Sequence, residues 1–287
     1  MSHLSVRPLH PDFGVEVLDV DASRSLECPV REQLRELFET HSLLLIRGPV
    51  LSDQQQLAFS ELFGKPQISA SGNLTGGSRL SRQSNVDPVS NEIMPADHAR
   101  MRYQKATRFW HADSSYRQSG SLCSILAARE VPPTGGDTEF ASLRVAWRRL
   151  PLALRERIQG LVCVHSLAHS QSLTGEEVLS AQQQTEFPTA CHPLVQVNPR
   201  NGQPALLIGA HASHIEGWPT EQGRALLDEL LQRATVADNV YAHRWRAGDI
   251  LIWDNRCMLH RSTGYESQRY RRWLERATIP LPAAQDA

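Results

Sequence analysis

Lysine is nearly missing from this chain. Of its 30 basic residues only Lys65 and Lys105 are lysines; the other 28 are arginine. An excess of positive charge is missing too, because 31 acidic residues leave a formal net charge of −1. Binding of a polyanion or an anionic membrane through bulk electrostatics is therefore not expected. Cysteine is sparse and unpatterned: Cys28, Cys123, Cys163, Cys191 and Cys257 are odd in number and show no Cys-x-x-Cys spacing. That argues against a disulfide framework and against a cysteine-held zinc. No apolar run approaches the roughly 20 residues of a membrane helix. The opening Met1-Ser2-His3-Leu4-Ser5-Val6-Arg7-Pro8 has no apolar signal core. The expectation is a cytoplasmic protein whose partner is a small molecule, with no nucleic-acid or membrane partner. A homo-oligomer is compatible with all of this.

What is present supports one large core. The chain has 287 residues, 40% of them hydrophobic, and is read as a single domain over 1–287. Pro29 opens a helix with apolar residues at Val30, Leu34, Leu37 and Phe38, the spacing of one helical face. Ser42 to Gly48 reads as a buried strand. Ser52 or Asp53 can cap a second helix over 54–63. Residues 69–84 are rich in Ser and Gly, lack periodicity and carry Arg79 and Arg82, and they are read as a substrate lid. From Thr107 onward strand-like and turn-like pieces alternate. Asn198-Pro199-Arg200-Asn201-Gly202 signals a hairpin turn, and helices are expected over 142–149 and 220–234. A β core with flanking helices fits a double-stranded β-helix, or jelly roll.

The pattern that carries chemistry is Phe109-Trp110-His111-Ala112-Asp113, answered far downstream by Trp253-Asp254-Asn255-Arg256-Cys257-Met258-Leu259-His260. On an extended segment residues i and i+2 share a face, so His111 and Asp113 can point together. Two imidazoles and one carboxylate on one face suit non-heme Fe(II) with open positions opposite. A His-x-Asp pair alone is weak. Its company is more specific: Gly135-Gly136-Asp137-Thr138-Glu139-Phe140 lies between the two halves, and Arg272 and Arg276 follow.

Along nearly its whole length the chain resembles the taurine dioxygenase / dichlorophenoxyacetate dioxygenase family. The likeness runs from Leu9-His10-Pro11 and Leu45-Ile46-Arg47-Gly48, through Trp110 to Ser114, Pro133 to Phe140 and Gly209-Ala210-His211-Ala212-Ser213-His214, to Trp253-Asp254-Asn255-Arg256 and Arg276-Ala277-Thr278. The likeness is strongest to its aryloxyalkanoate-cleaving branch. The resemblance implies His111, Asp113 and His260 as Fe(II) ligands, and Arg272 with Thr138 as the cradle of the 2-oxoglutarate cosubstrate. Arg269 and Arg271 stand close enough to compete for that role. It also implies Arg276 as the partner of an anionic substrate, with Thr107 and Ser114 lining the same pocket. His211, His214 and, from the lid, Arg79 are further substrate-side candidates.

The activity so implied is O2-dependent hydroxylation of a C–H bond in a small anionic organic substrate, releasing succinate and CO2. Aryloxyalkanoates, N-acyl amino acids and sulfonates are the leading substrate classes. Taurine-cleaving members carry a His and a Tyr shortly after their Phe-Gly. Here Phe63-Gly64 is followed by Ile68-Ser69-Ala70-Ser71-Gly72, which counts against taurine itself. Two rival readings use the same triad: a zinc hydrolase with a metal-bound water, and a non-catalytic jelly-roll binding protein. The first leaves Arg272 and Thr138 without a task.

Overall fold

The computed structural model describes residues 3–68, 77–175 and 186–282. It is sheet-rich, with helices on the outside. Seven strands build the main sheet: β1 (Val6–Pro8), β2 (Val15–Val17), β3 (Leu43–Arg47), β4 (Ser81–Ser84), β5 (Ser121–Glu130), β13 (Asp249–Asp254) and β15 (Trp273–Pro280). Their spatial order is β1-β2-β3-β13-β5-β15-β4, antiparallel throughout except for β2 against β3. A second sheet has β6 (Thr138–Ser142) between β12 (Val240–His243) and β14 (Met258–Ser262). A third sets β7 (Val162–His165) between β8 (Ala190–Pro193) and β11 (Ala212–Ile215). The expected hairpin is formed by β9 (Val195–Val197) and β10 (Pro204–Leu206).

The main sheet is buried on both sides, which explains why β3 reads as an uninterrupted apolar run rather than an alternating one. Leu44 and Ile46 join Ile250, Ile252, Ile125 and Ala127 under helices α1 (Cys28–His41) and α2 (Asp53–Ser60). Leu43 and Leu45 join Leu251, Trp253 and Leu126 on the other side, against Phe140 and Leu259 of the second sheet. That second core lies between two sheets, and the candidate site opens there. α1 carries Pro at its start and ends on Ser42, whose φ of 63° closes the last turn. α2 starts at a capping box, Ser52 and Gln55 exchanging side-chain and backbone bonds.

Two expectations change. Ser81–Ser84 is not loop but strand β4, registered on Trp273 to Arg276 of β15. Arg82 is held there by an ion pair to Glu275 at 2.8 Å and lies 4.1 Å over the Trp273 ring. Residues 69–76 of the expected lid lie outside the described residues. Second, His111 forms only an isolated bridge, and Asp113 already belongs to the turn that follows. Arg272 lies just before β15, whose pairing with β5 shifts register between Trp273 and Leu274.

One consequence of burial can be measured. His165 on β7 is fully buried. Burial first, then His192 with its ring 5.4 Å away, push the His165 imidazole down to about 3. An unfolded histidine titrates near pH 6.5, so between about pH 6.5 and 3 the unfolded chain binds the extra proton. Stability is therefore expected to be complete above that window and to fall as pH falls through it, by up to about 1.4 kcal/mol per pH unit for this group. Urea midpoints between pH 7 and 5 check this: His165→Gln should show a shallower acid slope than wild type, whatever its stability at pH 7.

Candidate active site

The two histidines are joined through their backbones. His111 N–H donates to the His260 carbonyl at 3.0 Å, and His260 N–H donates to that of His111 at 2.9 Å. Their rings lie 4.2 Å apart. This pair docks the Trp110–Asp113 segment onto β14, and β14 itself is registered on β6, with His260 opposite Phe140. Gly209 allows the close approach from the other side: a Cβ there would lie 2.9 Å from the Trp110 carbonyl, and its φ is +121°. Trp253 of β13 lies beneath, its ring 4.6 Å from that of His260.

Asp113 completes the group. Its carboxylate oxygens lie 3.9 Å from His111 Nε2 and 3.8 Å from His260 Nε2. One ligand atom from each of the three residues falls within 4.8 Å of the others. Asp113 Oδ2 accepts from Ser124 Oγ at 2.6 Å, while Oδ1 accepts from Arg276 Nη1 at 2.7 Å. Asn255 ties this together: its Oδ1 accepts from the Asp113 backbone at 3.3 Å, and its Nδ2 donates to the hydroxyls of Ser121 and Ser124. Such groups orient a ligand and tune its basicity.

The electrostatics favour a cation. Burial would raise the Asp113 carboxyl, but the Arg276 guanidinium, with the hydrogen bond from Ser124, outweighs it and holds the group below the usual carboxylate range. Burial pushes both histidines down, so they stand neutral. His111 Nδ1 lies 2.8 Å from the Phe109 carbonyl, and a bond there makes Nδ1 the protonated nitrogen and leaves the Nε2 lone pair toward Asp113. Two neutral imidazole nitrogens and one ionised carboxylate, all buried, are a donor set that fits Fe(II).

A second charged group stands nearby. Arg272 is half-buried, and desolvation disfavours its charge while Tyr265 and Asp137 favour it. Its Nε donates to the Gly136 carbonyl at 3.1 Å. Gly136 has to be glycine: its φ is +68°, and a Cβ would lie 3.2 Å from the Arg272 Cδ and Nε atoms. Among the described residues no carboxylate forms an ion pair with Arg272. The competing arginines are spent elsewhere, Arg271 on Glu130 at 2.6 Å and Arg269 on exposed Glu266 at 3.4 Å. Thr138 is buried on β6, two residues from Phe140, and its Oγ1 accepts from Trp245 Nε1 at 3.0 Å.

The other candidates are placed unequally. Arg276 lies on the triad, and its Nε is buried with no acceptor among the described residues. Thr107 reaches β14, its Oγ1 lying 2.8 Å from Ser262 Oγ. The His211 ring stands edge-on to His111 at 6.0 Å, and its Nδ1 lies 2.9 Å from Ser115 Oγ. Ser114 is buried, with a φ of 61° in the turn after Asp113. His214 is occupied by Ser213, whose Oγ lies 2.9 Å from its Nδ1. Arg79 is directed to the Pro66 carbonyl at 2.6 Å, and no bond joins it to the triad among the described residues. Sequence reasoning gave no role to Ser124 or Asn255. Asn255 stands in the quoted Trp-Asp-Asn-Arg run, whereas Ser124 is one serine in an apolar strand and carries no local signal.

Comparison with known proteins agrees with this geometry. The chain is 39% identical over 94% of its length to the alpha-ketoglutarate-dependent 2,4-dichlorophenoxyacetate dioxygenase of Cupriavidus pinatubonensis, covering 96% of that protein. It is 34% identical over 92% of its length to the (S)-phenoxypropionate/alpha-ketoglutarate-dioxygenase of Delftia acidovorans, covering 90% of it. A crystal structure of AAD-2 in complex with Mn(II) and N-oxalylglycine superposes with a TM-score of 0.90 at 29% identity, spanning 99% of this chain and 98% of that one. The model of the taurine catabolism dioxygenase TauD, TfdA family matches residues 5–278, and the chain belongs to that family.

Proposed function

We propose that this protein hydroxylates a C–H bond of a small organic anion, with an aryloxyalkanoate, an N-acyl amino acid or a sulfonate as the substrate class. It is an Fe(II)- and 2-oxoglutarate-dependent dioxygenase. His111, Asp113 and His260 would hold the iron, and Arg272 with Thr138 the cosubstrate. Iron bound there supplies activation of dioxygen coupled to decarboxylation of 2-oxoglutarate to succinate and CO2. The rest is the work of this chain's own residues. Arg272 offers a planar fork to the far carboxylate of the cosubstrate. Arg276 offers its unpartnered Nε–H to the anionic end of the substrate while Nη1 keeps Asp113 in place. Thr107, Ser114 and His211 line that side, and Arg79 belongs to the same proposal only if the segment before β4 closes over it. Where the hydroxylated carbon also bears an ether oxygen or a sulfonate, the product falls apart.

The observation that carries this reading is Arg272, half-buried against the Gly136 carbonyl and in no ion pair with a carboxylate among the described residues. A charge away from water is costly unless a counter-ion joins it. A zinc hydrolase or a passive binding protein gives that charge nothing to do. Two facing sheets around the triad further support a double-stranded β-helix over one domain, 1–287. No helix among the described residues is long and apolar enough to cross a membrane; a cytoplasmic location and a lid before β4, over 69–80, belong to the proposal as well.

The test is succinate release driven by substrate. Small carboxylates and sulfonates should stimulate 2-oxoglutarate turnover, and the methyl ester of an accepted acid should lose at least about tenfold in kcat/KM, the worth of one charge-assisted bond. Arg276→Ala should erase the difference between acid and ester. Equal turnover of ester and acid by wild type would show that no anion is anchored.

A further inference from the structure

The turn that follows Asp113 is held from two sides. Arg117 N–H donates to the Ser114 carbonyl at 2.9 Å. His211 Nδ1 meets Ser115 Oγ at 2.9 Å, and His192 Nε2 donates to the carbonyls of Ser115 at 2.9 Å and Arg117 at 3.1 Å. Both histidines are buried. The side chain fixed by this arrangement is Tyr116. Its ring stands 4.9 Å from His211 and 5.6 Å from Phe187, at 66° and 89°. His211 in turn is edge-on to His111. Four rings therefore run in series from the triad outward: His111, His211, Tyr116, Phe187.

Resting on the reading that the substrate is a small acid anchored by Arg276, we propose that Tyr116 is a specificity-determining residue whose ring, backed by His211 and Phe187, forms the wall against which a flat aromatic ring of the substrate lies. Tyr116 is half-buried, with Arg117 lying 5.7 Å over its ring. Helix α3 (Ala99–Gln104) carries a second phenol, Tyr103, whose titration is pushed up chiefly by burial. α3 is tied to β4 by Gln104 Nε2 donating to the Ser84 carbonyl at 3.0 Å, and its continuation is tied to β14 through Thr107. Ring faces and edges attract one another through their quadrupoles, and a saturated ring of similar size has none and is thicker.

The experiment compares phenoxyacetate with cyclohexyloxyacetate, equal in charge and close in size, in the iron-loaded enzyme with succinate as the readout. Wild type should favour phenoxyacetate by about tenfold in KM. Tyr116→Phe should keep that ratio. Tyr116→Leu should bring it within about twofold by raising KM for phenoxyacetate, with KM for 2-oxoglutarate unchanged. A wild-type ratio near one overturns the proposal. So does an unaltered ratio in Tyr116→Leu, or a loss shared equally by both acids and 2-oxoglutarate, as a merely structural role would give. Turnover of 1-hexanesulfonate with neither ring acid accepted overturns the aromatic wall and leaves the anion reading intact. No turnover of any acid by enzyme that binds metal and 2-oxoglutarate overturns both.

Discussion

Replacing His111, Asp113 or His260 with alanine is expected to abolish substrate-dependent succinate formation, a loss of at least about a thousandfold, and to abolish tight Fe(II) binding. The three residues contribute one donor atom each to a single buried cluster, and nothing else among the described residues offers a fourth histidine, cysteine or carboxylate to that cluster. Losing one donor of three leaves a metal with too few ligands to be held. Asp113 is expected to be the most damaging for a second reason. Arg276 Nη1 and Ser124 Oγ both donate to its carboxylate, so alanine there strands a partly buried guanidinium without its counter-ion. Metal content of the purified variants and calorimetric Fe(II) titration separate this from a simple folding defect. Full activity of Asp113→Ala, or of wild type in excess chelator, would sink the assignment.

Arg272→Ala is expected to raise KM for 2-oxoglutarate by about tenfold to a hundredfold, corresponding to the roughly 1.5–3 kcal/mol of a hydrogen bond to a charged group. Arg272→Lys should recover little, because a point charge cannot match a carboxylate with two parallel bonds. Arg271→Ala should leave that KM unchanged, since Arg271 is paired with Glu130 and Asn91 at the surface. Thr138→Ala is expected to be milder toward the cosubstrate, yet it leaves the buried Trp245 Nε1 without its acceptor, at about 1–3 kcal/mol of stability. A variant series in which Arg269→Ala or Arg271→Ala raises KM and Arg272→Ala does not would move the cosubstrate site to the surface.

Much of the site was legible along the chain because its ligands sit in short motifs. His111-Ala112-Asp113 needs only two residues of backbone to bring two donors together, although it does so at a bridge and a turn rather than along a strand. Gly136 was legible only as part of its motif, and the structure shows what approaches it: the Arg272 side chain. Helices α1 and α2 were legible for local reasons, a proline at one start and a capping box at the other. β4 was not. Ser81-Arg82-Gln83-Ser84 has neither alternation nor apolar content, and it is a strand only because β15 offers an unpaired edge and Glu275 and Trp273 hold Arg82.

The sequence by itself determined the candidate metal donors and the family to which the chain belongs. These rest on residue type and short spacing, which survive in one dimension. Tertiary structure alone decided which of three neighbouring arginines faces inward. A shift of one residue turns a side chain to the opposite face, and only the packing of Arg272 against Gly136 fixes that register. It also decided that Ser124 and Asn255 support Asp113 and that Tyr116 stands in line with His211. Those partners come from segments 11, 142 and 95 positions apart, and a distance of that kind closes only when the two sheets meet.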